Sequence, residues 1–185
     1  MLVILSGSSG VGKNTVINKV LEENSNIELM PTMTTREMRA GEEPGKPYAF
    51  VTKEEFEKMI KDGELLEYQI VHGFYYGTPK KIVEEKLKSG KVLIKDIDVD
   101  GTQVLVKSLE KVVTIFIKPA SKEQLIERLK ARGETRIETR LARYEYEEEM
   151  SKNYQYIVIN DKLEEAVAEI KDIIEKEYQK ANFQK

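Results

Sequence analysis

The sequence predicts an α/β fold with a mostly parallel sheet covered on both faces, interrupted by an insertion that breaks the strand–helix rhythm. Two observations carry the core. Apolar, β-branched runs at 2–5 and 112–117 have the pattern of strands buried on both sides. The first run ends at Gly7-Ser8-Ser9-Gly10-Val11-Gly12-Lys13, a glycine-rich turn that opens a helix. A third observation carries the insertion: from about 32 to 80 the alternation lapses into short strands and one helix.

The elements follow in order. Val16, Ile17, Val20 and Leu21 share one face of a helix over 13–23. Residues 31–47 hold three prolines and two glycines and predict irregular structure. Residues 48–51 form a short strand, and Thr52 with Glu55 has the capping-box spacing that opens a helix stopping near Gly63. Strands at 64–71 and 74–77 flank a turn at His72-Gly73, where the lone histidine reads as a turn residue rather than a general base. Pro79 suits the first turn of a helix ending at Gly90. A buried strand at 92–97, a short helix at 102–109 and the β-branched strand at 112–117 come next. Ser121 and Gln124 then cap a helix running to about Ala131. An arginine-rich helical stretch leads to a last strand at 156–159, and Leu163, Val167, Ile170, Ile173 and Ile174 mark a closing helix. Tyr144 and Tyr146 read as helix packing residues.

Composition narrows the function. With 185 residues and 40% apolar positions the chain fits one domain with a real core. A net charge of −3 argues against a nucleic-acid or membrane-surface binder, and the lack of cysteine excludes disulfides and thiolate metal sites. No basic leader and no long apolar span is found, so a soluble cytoplasmic protein is expected. All seven arginines fall in two windows: Arg36 and Arg39, then Arg128, Arg132, Arg136, Arg140 and Arg143. Arginine binds phosphate and carboxylate bidentately where lysine acts as a point charge. The bland account of the second window is an exposed helix whose arginines pair with Glu127, Glu134 and Glu138.

The segment from Gly7 to Lys13 fits G-x-x-x-x-G-K between a buried strand and a helix. There the backbone N–H groups of Ser8, Ser9, Gly10, Val11 and Gly12 can turn inward at phosphate oxygens, the helix N-terminus adds partial positive charge, and Lys13 reaches the outer phosphates. The position after the lysine, commonly a hydroxyl ligand of Mg²⁺, is Asn14, followed by Thr15. An asparagine carbonyl can take that role, or water and phosphate oxygens can hold the metal.

Such a loop is shared by many nucleotide-using proteins, and the next segment narrows the choice. Arg36 and Arg39 sit in Thr34-Thr35-Arg36-Glu37-Met38-Arg39-Ala40-Gly41-Glu42, where two guanidinium forks suit a second, smaller phosphate. Tyr48, Tyr75, Tyr76 and Thr78 add neutral donors. Glu67 and Asp96 are carboxylates in or beside apolar strands, where they need partners. Guanine, with adjacent N1–H and N2–H donors, would satisfy one. A lysine would satisfy Glu67 equally well.

The runs TTREMRAGE, PYAFV, GELLEY, FYYGTP, IKDIDVDG, ERLKARG and VIND stand in the order and spacing of guanylate kinases, which the chain resembles from about residue 2 to 177. The resemblance implies a P-loop three-layer core (about 1–31, 81–130 and 145–185), a GMP-binding subdomain (about 32–80) and a short mobile lid (about 131–144). It implies transfer of the γ-phosphoryl group of ATP to GMP or dGMP, with Mg²⁺, in purine nucleotide metabolism, by a monomer or homodimer. Carried over, Thr32, Arg36, Arg39, Tyr48 and Tyr76 hold the GMP phosphate, and Glu67, Thr78 and Asp96 hold the guanine, with Asp98 nearby. Lys13, Arg36, Arg132 and Arg140 are the implied catalytic set, and Asn160 lies near the adenine end. The departures are Thr32 and Thr78 where serine is common, Met38 for proline, Tyr68 for tryptophan, Asp100 for glutamine and Lys95 for an apolar residue or glutamate. The lid is a few residues short. Two other readings stand beside this one: a kinase for another monophosphate, and a guanylate-kinase-like interaction module. A P-loop GTPase lacks support, since no N-K-x-D motif is found.

Overall fold

In strand β1 (Leu2–Gly7), Val3 and Leu5 pack to one side while Leu2 and Ile4 pack to the other, and all four are fully buried. That alternation puts the strand in the middle of the molecule and requires helices on both faces. The computed structural model describes residues 1–39, 41–45, 48–71 and 73–183. Its five-stranded main sheet runs β2 (Ile27–Leu29), β7 (Val92–Asp96), β1, β8 (Val112–Lys118) and β9 (Tyr156–Ile159), with every pairing parallel. Helices α1 (Lys13–Glu22), α5 (Lys122–Ala131) and α8 (Leu163–Phe183) cover the Val3 face through Val16, Val20, Leu125, Leu129, Val167 and Ile170. Helices α3 (Lys80–Lys88) and α4 (Val99–Ser108) cover the Leu2 face through Val83 and Leu105. This is a three-layer α/β core.

The insertion forms a second sheet, ordered β4 (Tyr48–Phe50), β3 (Thr32–Thr34), β6 (Phe74–Pro79), β5 (Leu65–Val71). Its β3–β4 pairing is parallel and the other two are antiparallel. Helix α2 (Lys53–Lys61) opens with the expected capping box: Thr52 Oγ1 accepts from Glu55 N at 3.1 Å, and Glu55 Oε2 accepts from Thr52 N at 2.8 Å. Its Phe56 is fully buried and stacks on Tyr75 with ring centroids 5.1 Å apart. Gly77 makes that approach possible, because a Cβ there would lie 2.7 Å from Phe56 Cζ.

Three sequence expectations need correction. The stretch 31–47 is not wholly irregular, since Thr32–Thr34 is a strand held on both sides by pairing. Helix α4 starts at Val99 rather than 102, because Asp98 Oδ1 accepts from the amides of Asp100 (3.0 Å) and Gly101 (2.8 Å) and so caps it. Pro79 ends β6 and serves as the N-cap of α3, one residue ahead of the first turn. The arginine-rich stretch splits into α6 (Ile137–Leu141) and α7 (Tyr144–Met150), followed by a 3-10 turn at Ser151–Asn153. Ile137, Leu141 and Tyr144 pack on the α1/α5/α8 side of the core. His72 lies outside the described residues.

Candidate active site

The loop between β1 and α1 is held from behind. Gly12, the N-cap of α1, takes a left-handed φ of 101°, and a Cβ there would meet Asn160 Nδ2 at 2.7 Å. Asn160 is buried, and its Nδ2 donates to the Val11 carbonyl at 2.8 Å. Arg128 adds Nη1 to the same carbonyl at 3.4 Å and donates Nη2 to the Asp161 carbonyl at 3.0 Å. The Val11 carbonyl is thus drawn backward, and the Val11 N–H donates to the Ser8 carbonyl at 3.1 Å, which closes the loop into the tight turn that lets its other amides face the cleft. A chain of hydrogen bonds lies beneath it: Tyr154 OH to Ser6 Oγ at 2.6 Å, then Ser6 Oγ to the Ile97 carbonyl at 2.6 Å and on to Thr102 Oγ1 at 3.0 Å.

Lys13 folds back over the loop, its Nζ donating to the carbonyls of Gly7 at 2.6 Å and Ser8 at 3.4 Å. Burial lowers its pKa, and the nearby Asp96, Glu147 and Asp98 oppose that shift. Ser8 Oγ and Glu147 Oε2 are buried near each other, and neither makes a hydrogen bond of good geometry among the described residues. Burial raises the Glu147 pKa, with Ser8, Lys13 and Arg143 pulling it down and Asp98 adding to the rise. Asn14 and Thr15 are exposed at the start of α1. Among the described residues no group of three or more histidine or acidic side chains is gathered to hold a metal unaided.

Gly7, Ser9, Lys13, Asp98 and Glu147 line a cleft of about 350 Å³. Its far wall is Glu67, Gln69, Lys95 and Asp96, and the same four residues wall a second cavity of about 400 Å³ lined also by Thr32, Tyr48 and Tyr76. The two sequence-derived sets thus meet at a shared wall, where the main sheet and the inserted sheet face each other.

At the far end, Arg36 is held in a bidentate pair by Glu42, at 2.7 Å to Oε1 and 3.0 Å to Oε2, and donates to the Glu37 carbonyl at 2.6 Å. Its guanidinium lies 5.6 Å from the Tyr48 ring centroid and 5.5 Å from that of Phe50. Glu42 Oε2 also accepts from the Arg39 backbone N at 2.7 Å, while the Arg39 side chain is exposed. Hydrogen bonding from Arg36 holds the Glu42 carboxyl below its usual range. Sequence reasoning gave Glu42 no role, although its spacing from both arginines was the available signal. Tyr48 and Tyr76 pack edge to face at 5.9 Å.

Deeper in the cavity, Thr78 Oγ1 donates to Glu67 Oε1 at 2.5 Å. Lys95 Nζ donates to Thr78 Oγ1 at 3.0 Å and to Glu67 Oε1 at 3.4 Å. Of the two partners the sequence left open for Glu67, a lysine is therefore present. Thr78 is fully buried, and Asp96 is exposed at the end of β7.

The second arginine window is mixed. Arg132 is exposed as the C-cap of α5, and Arg140 Nε pairs with Glu134 at 2.9 Å. Arg136 uses its backbone N to donate to the same carboxylate at 3.0 Å. Arg143 instead pairs with Asp100 at 2.6 Å, whose other oxygen accepts from Tyr146 OH at 2.6 Å. Tyr146 is 46% exposed, so it is a hydrogen-bonding surface residue rather than the packing residue expected.

A family model described as guanylate kinase matches residues 1–177. A guanylate kinase of Oceanobacillus iheyensis is 43% identical over 97% of this chain and 89% of its own length. One of Wolbachia sp. subsp. Brugia malayi is 43% identical over 96% of this chain and 93% of its own. The crystal structure of guanylate kinase from Anaplasma phagocytophilum superposes with a TM-score of 0.72 at 33% identity, covering 96% of this chain and 86% of that one.

Proposed function

The chain belongs to the guanylate kinase family, and from its activity, ATP-dependent phosphorylation of GMP, we propose a division of labour along the cleft. The observation that carries it is the shared wall of Glu67, Gln69, Lys95 and Asp96, which joins a phosphate-binding loop to a cavity lined by Tyr48 and Tyr76, with Arg36 packed against the Tyr48 ring. ATP's triphosphate occupies the loop, on the amides of Ser9, Gly10, Gly12 and Lys13, the Ser8 hydroxyl and the Lys13 ammonium, with Val11 in the turn behind them and Asn14 and Thr15 at the helix start. Asn160 acts through the loop, its amide fixing Val11. GMP occupies the second cavity, with its phosphate on Arg36, Arg39, Tyr48, Tyr76 and Thr32 and its base toward Glu67, Thr78 and Asp96.

Phosphoryl transfer needs positioning and charge neutralisation more than proton abstraction. A phosphate oxygen of GMP, already anionic at neutral pH, attacks the γ-phosphorus in line as its bond to the ADP oxygen breaks. Lys13 leaves the Gly7 carbonyl for the phosphates. Arg36 shares its fork between Glu42 and the GMP phosphate, so Glu42 sets the guanidinium plane before substrate arrives. Residues 131–144 form the lid, and its closure brings Arg132 and Arg140 onto the transferring group and excludes water. The Asn14 carbonyl and Asp98, whose Oδ2 is not used in capping α4, are the residues suited to hold Mg²⁺ through water and phosphate oxygens. The metal, when bound, neutralises charge on the phosphates. The subdomain is 32–80 and the remainder is core. The protein works in the cytoplasm as a monomer or homodimer, without nucleic acid or membrane. No described helix is long and apolar enough to cross a membrane.

ADP release with ATP, Mg²⁺ and GMP, AMP, CMP or UMP in turn tests the base assignment. Turnover with GMP far above the rest is expected; comparable turnover with AMP would remove Glu67 and Asp96 from base recognition.

A further inference from the structure

We propose that Lys95 is a specificity-determining residue, whose ammonium donates to the 6-oxo group of guanine and forms with Glu67 a donor–acceptor pair complementary to that base. The proposal rests on the acceptor cavity taking GMP as described above.

Lys95 is an anomaly of placement. It follows Val92, Leu93 and Ile94, all buried, on a central strand whose register sets it beside Ile4. Its side chain is only 19% exposed, yet it lines both cavities. Burial lowers its pKa, and the Glu67 carboxylate opposes that shift. A cation placed where it is costly is compensated only when all its donors are met, and Glu67 at 3.4 Å and Thr78 at 3.0 Å meet two of them.

The hydrogen-bond inventory shows what remains available. An ammonium has three N–H donors. Two are directed at Thr78 Oγ1 and Glu67 Oε1, and the third has no partner among the described residues. Glu67 is the mirror case: its side-chain hydrogen bonds among the described residues all fall on Oε1, leaving Oε2 unused. The cavity therefore presents one spare cationic donor beside one spare anionic acceptor. Guanine offers the complement along one edge, with O6 accepting and the adjacent N1–H and N2–H donating. Adenine reverses it, setting an amino group against the ammonium and a lone pair against the carboxylate. A site built this way rejects the wrong base by leaving its own charged groups unpaired.

The test compares wild type, Lys95→Met, Lys95→Arg and Glu67→Gln on GMP, on IMP (which keeps O6 and N1–H) and on 2-aminopurine riboside monophosphate (which keeps the 2-amino group but lacks O6 and N1–H). Losing one charged hydrogen bond should lower kcat/KM by about 10- to 100-fold. Lys95→Met is expected to impose that loss on GMP and IMP alike, through KM, while leaving 2-aminopurine riboside monophosphate and the KM for ATP within about twofold of wild type. Lys95→Arg should recover part of it. If Lys95→Met shifts only the melting temperature, or lowers all three substrates equally, Lys95 is a strut between the two sheets and the proposal fails. If Glu67→Gln leaves the KM for GMP unchanged, the base does not bind in this cavity, and the reading beneath the proposal fails with it.

Discussion

At the Lys13 end of the cleft the proposed binding surface is main chain: a tight loop whose shape is fixed from behind by Asn160, Arg128 and the Ser6–Thr102–Tyr154 cluster. At the Arg36 end it is side chain, contributed by β3, β4, β5, β6 and β7, and its arginine is already paired with Glu42. The first end is preorganised by covalent geometry and a few buried supports. The second is preorganised by mutual pairing of charges, which substrate must share or displace. Main-chain recognition tolerates little change and resists mutation of any one donor. Side-chain recognition is divisible, and each residue can be removed separately.

The sharpest way to break this comparison is Lys13→Met, which removes the loop's one cationic side chain in the cleft. It should reduce kcat by about 10²–10³-fold or more, as loss of a transition-state donor does, while calorimetry finds GMP binding unchanged. Weaker GMP binding would mean that the two ends are not separate. A smaller effect is expected for Arg39→Ala, which should raise the KM for GMP by about 10- to 100-fold, the value of one charge-assisted hydrogen bond. The KM for ATP should stay within about twofold; equal losses on both substrates would erase the division. The smallest concerns Glu147, a carboxylate that burial has placed against the loop with a raised pKa. A raised pKa favours the protonated form in the folded state, so ionisation costs stability at high pH, and the cost fades as pH falls below the ordinary carboxylate range. Glu147→Gln should therefore raise Tm by about 2 °C at pH 8 and by nothing measurable near pH 4. A gain that persists at pH 4 would assign the effect to packing.

The two ends were unequally legible in the sequence for the same reason that they differ in construction. A main-chain site is encoded by contiguous residues, so Gly7 to Lys13 announces itself between a buried strand and a helix. A side-chain site draws on segments far apart in the chain, and nothing in the spacing of Thr32, Glu67 and Lys95 says that they share a cavity. Resemblance proposed the residues, but not that Glu42, close by in sequence, clamps Arg36, nor that Lys95 reaches Glu67 from 28 positions away. Strand β2 went unread because three residues with one buried side chain carry no periodicity. Strand β3 was hidden by the surrounding prolines, and the early start of α4 depends on which way the Asp98 carboxylate turns.

The pairing of Arg143 with Asp100, steadied by Tyr146, fastens the C-terminal root of the proposed lid to the first turn of α4. An arm tethered at its base by a surface ion pair is a short lever. Fewer backbone torsions stay free in the open state, and ordering each residue costs about 1–2 kcal/mol of conformational entropy. The lid proposed above, anchored this way, has less disorder to surrender at each closure, so more of the binding energy of ATP is left to hold the closed state.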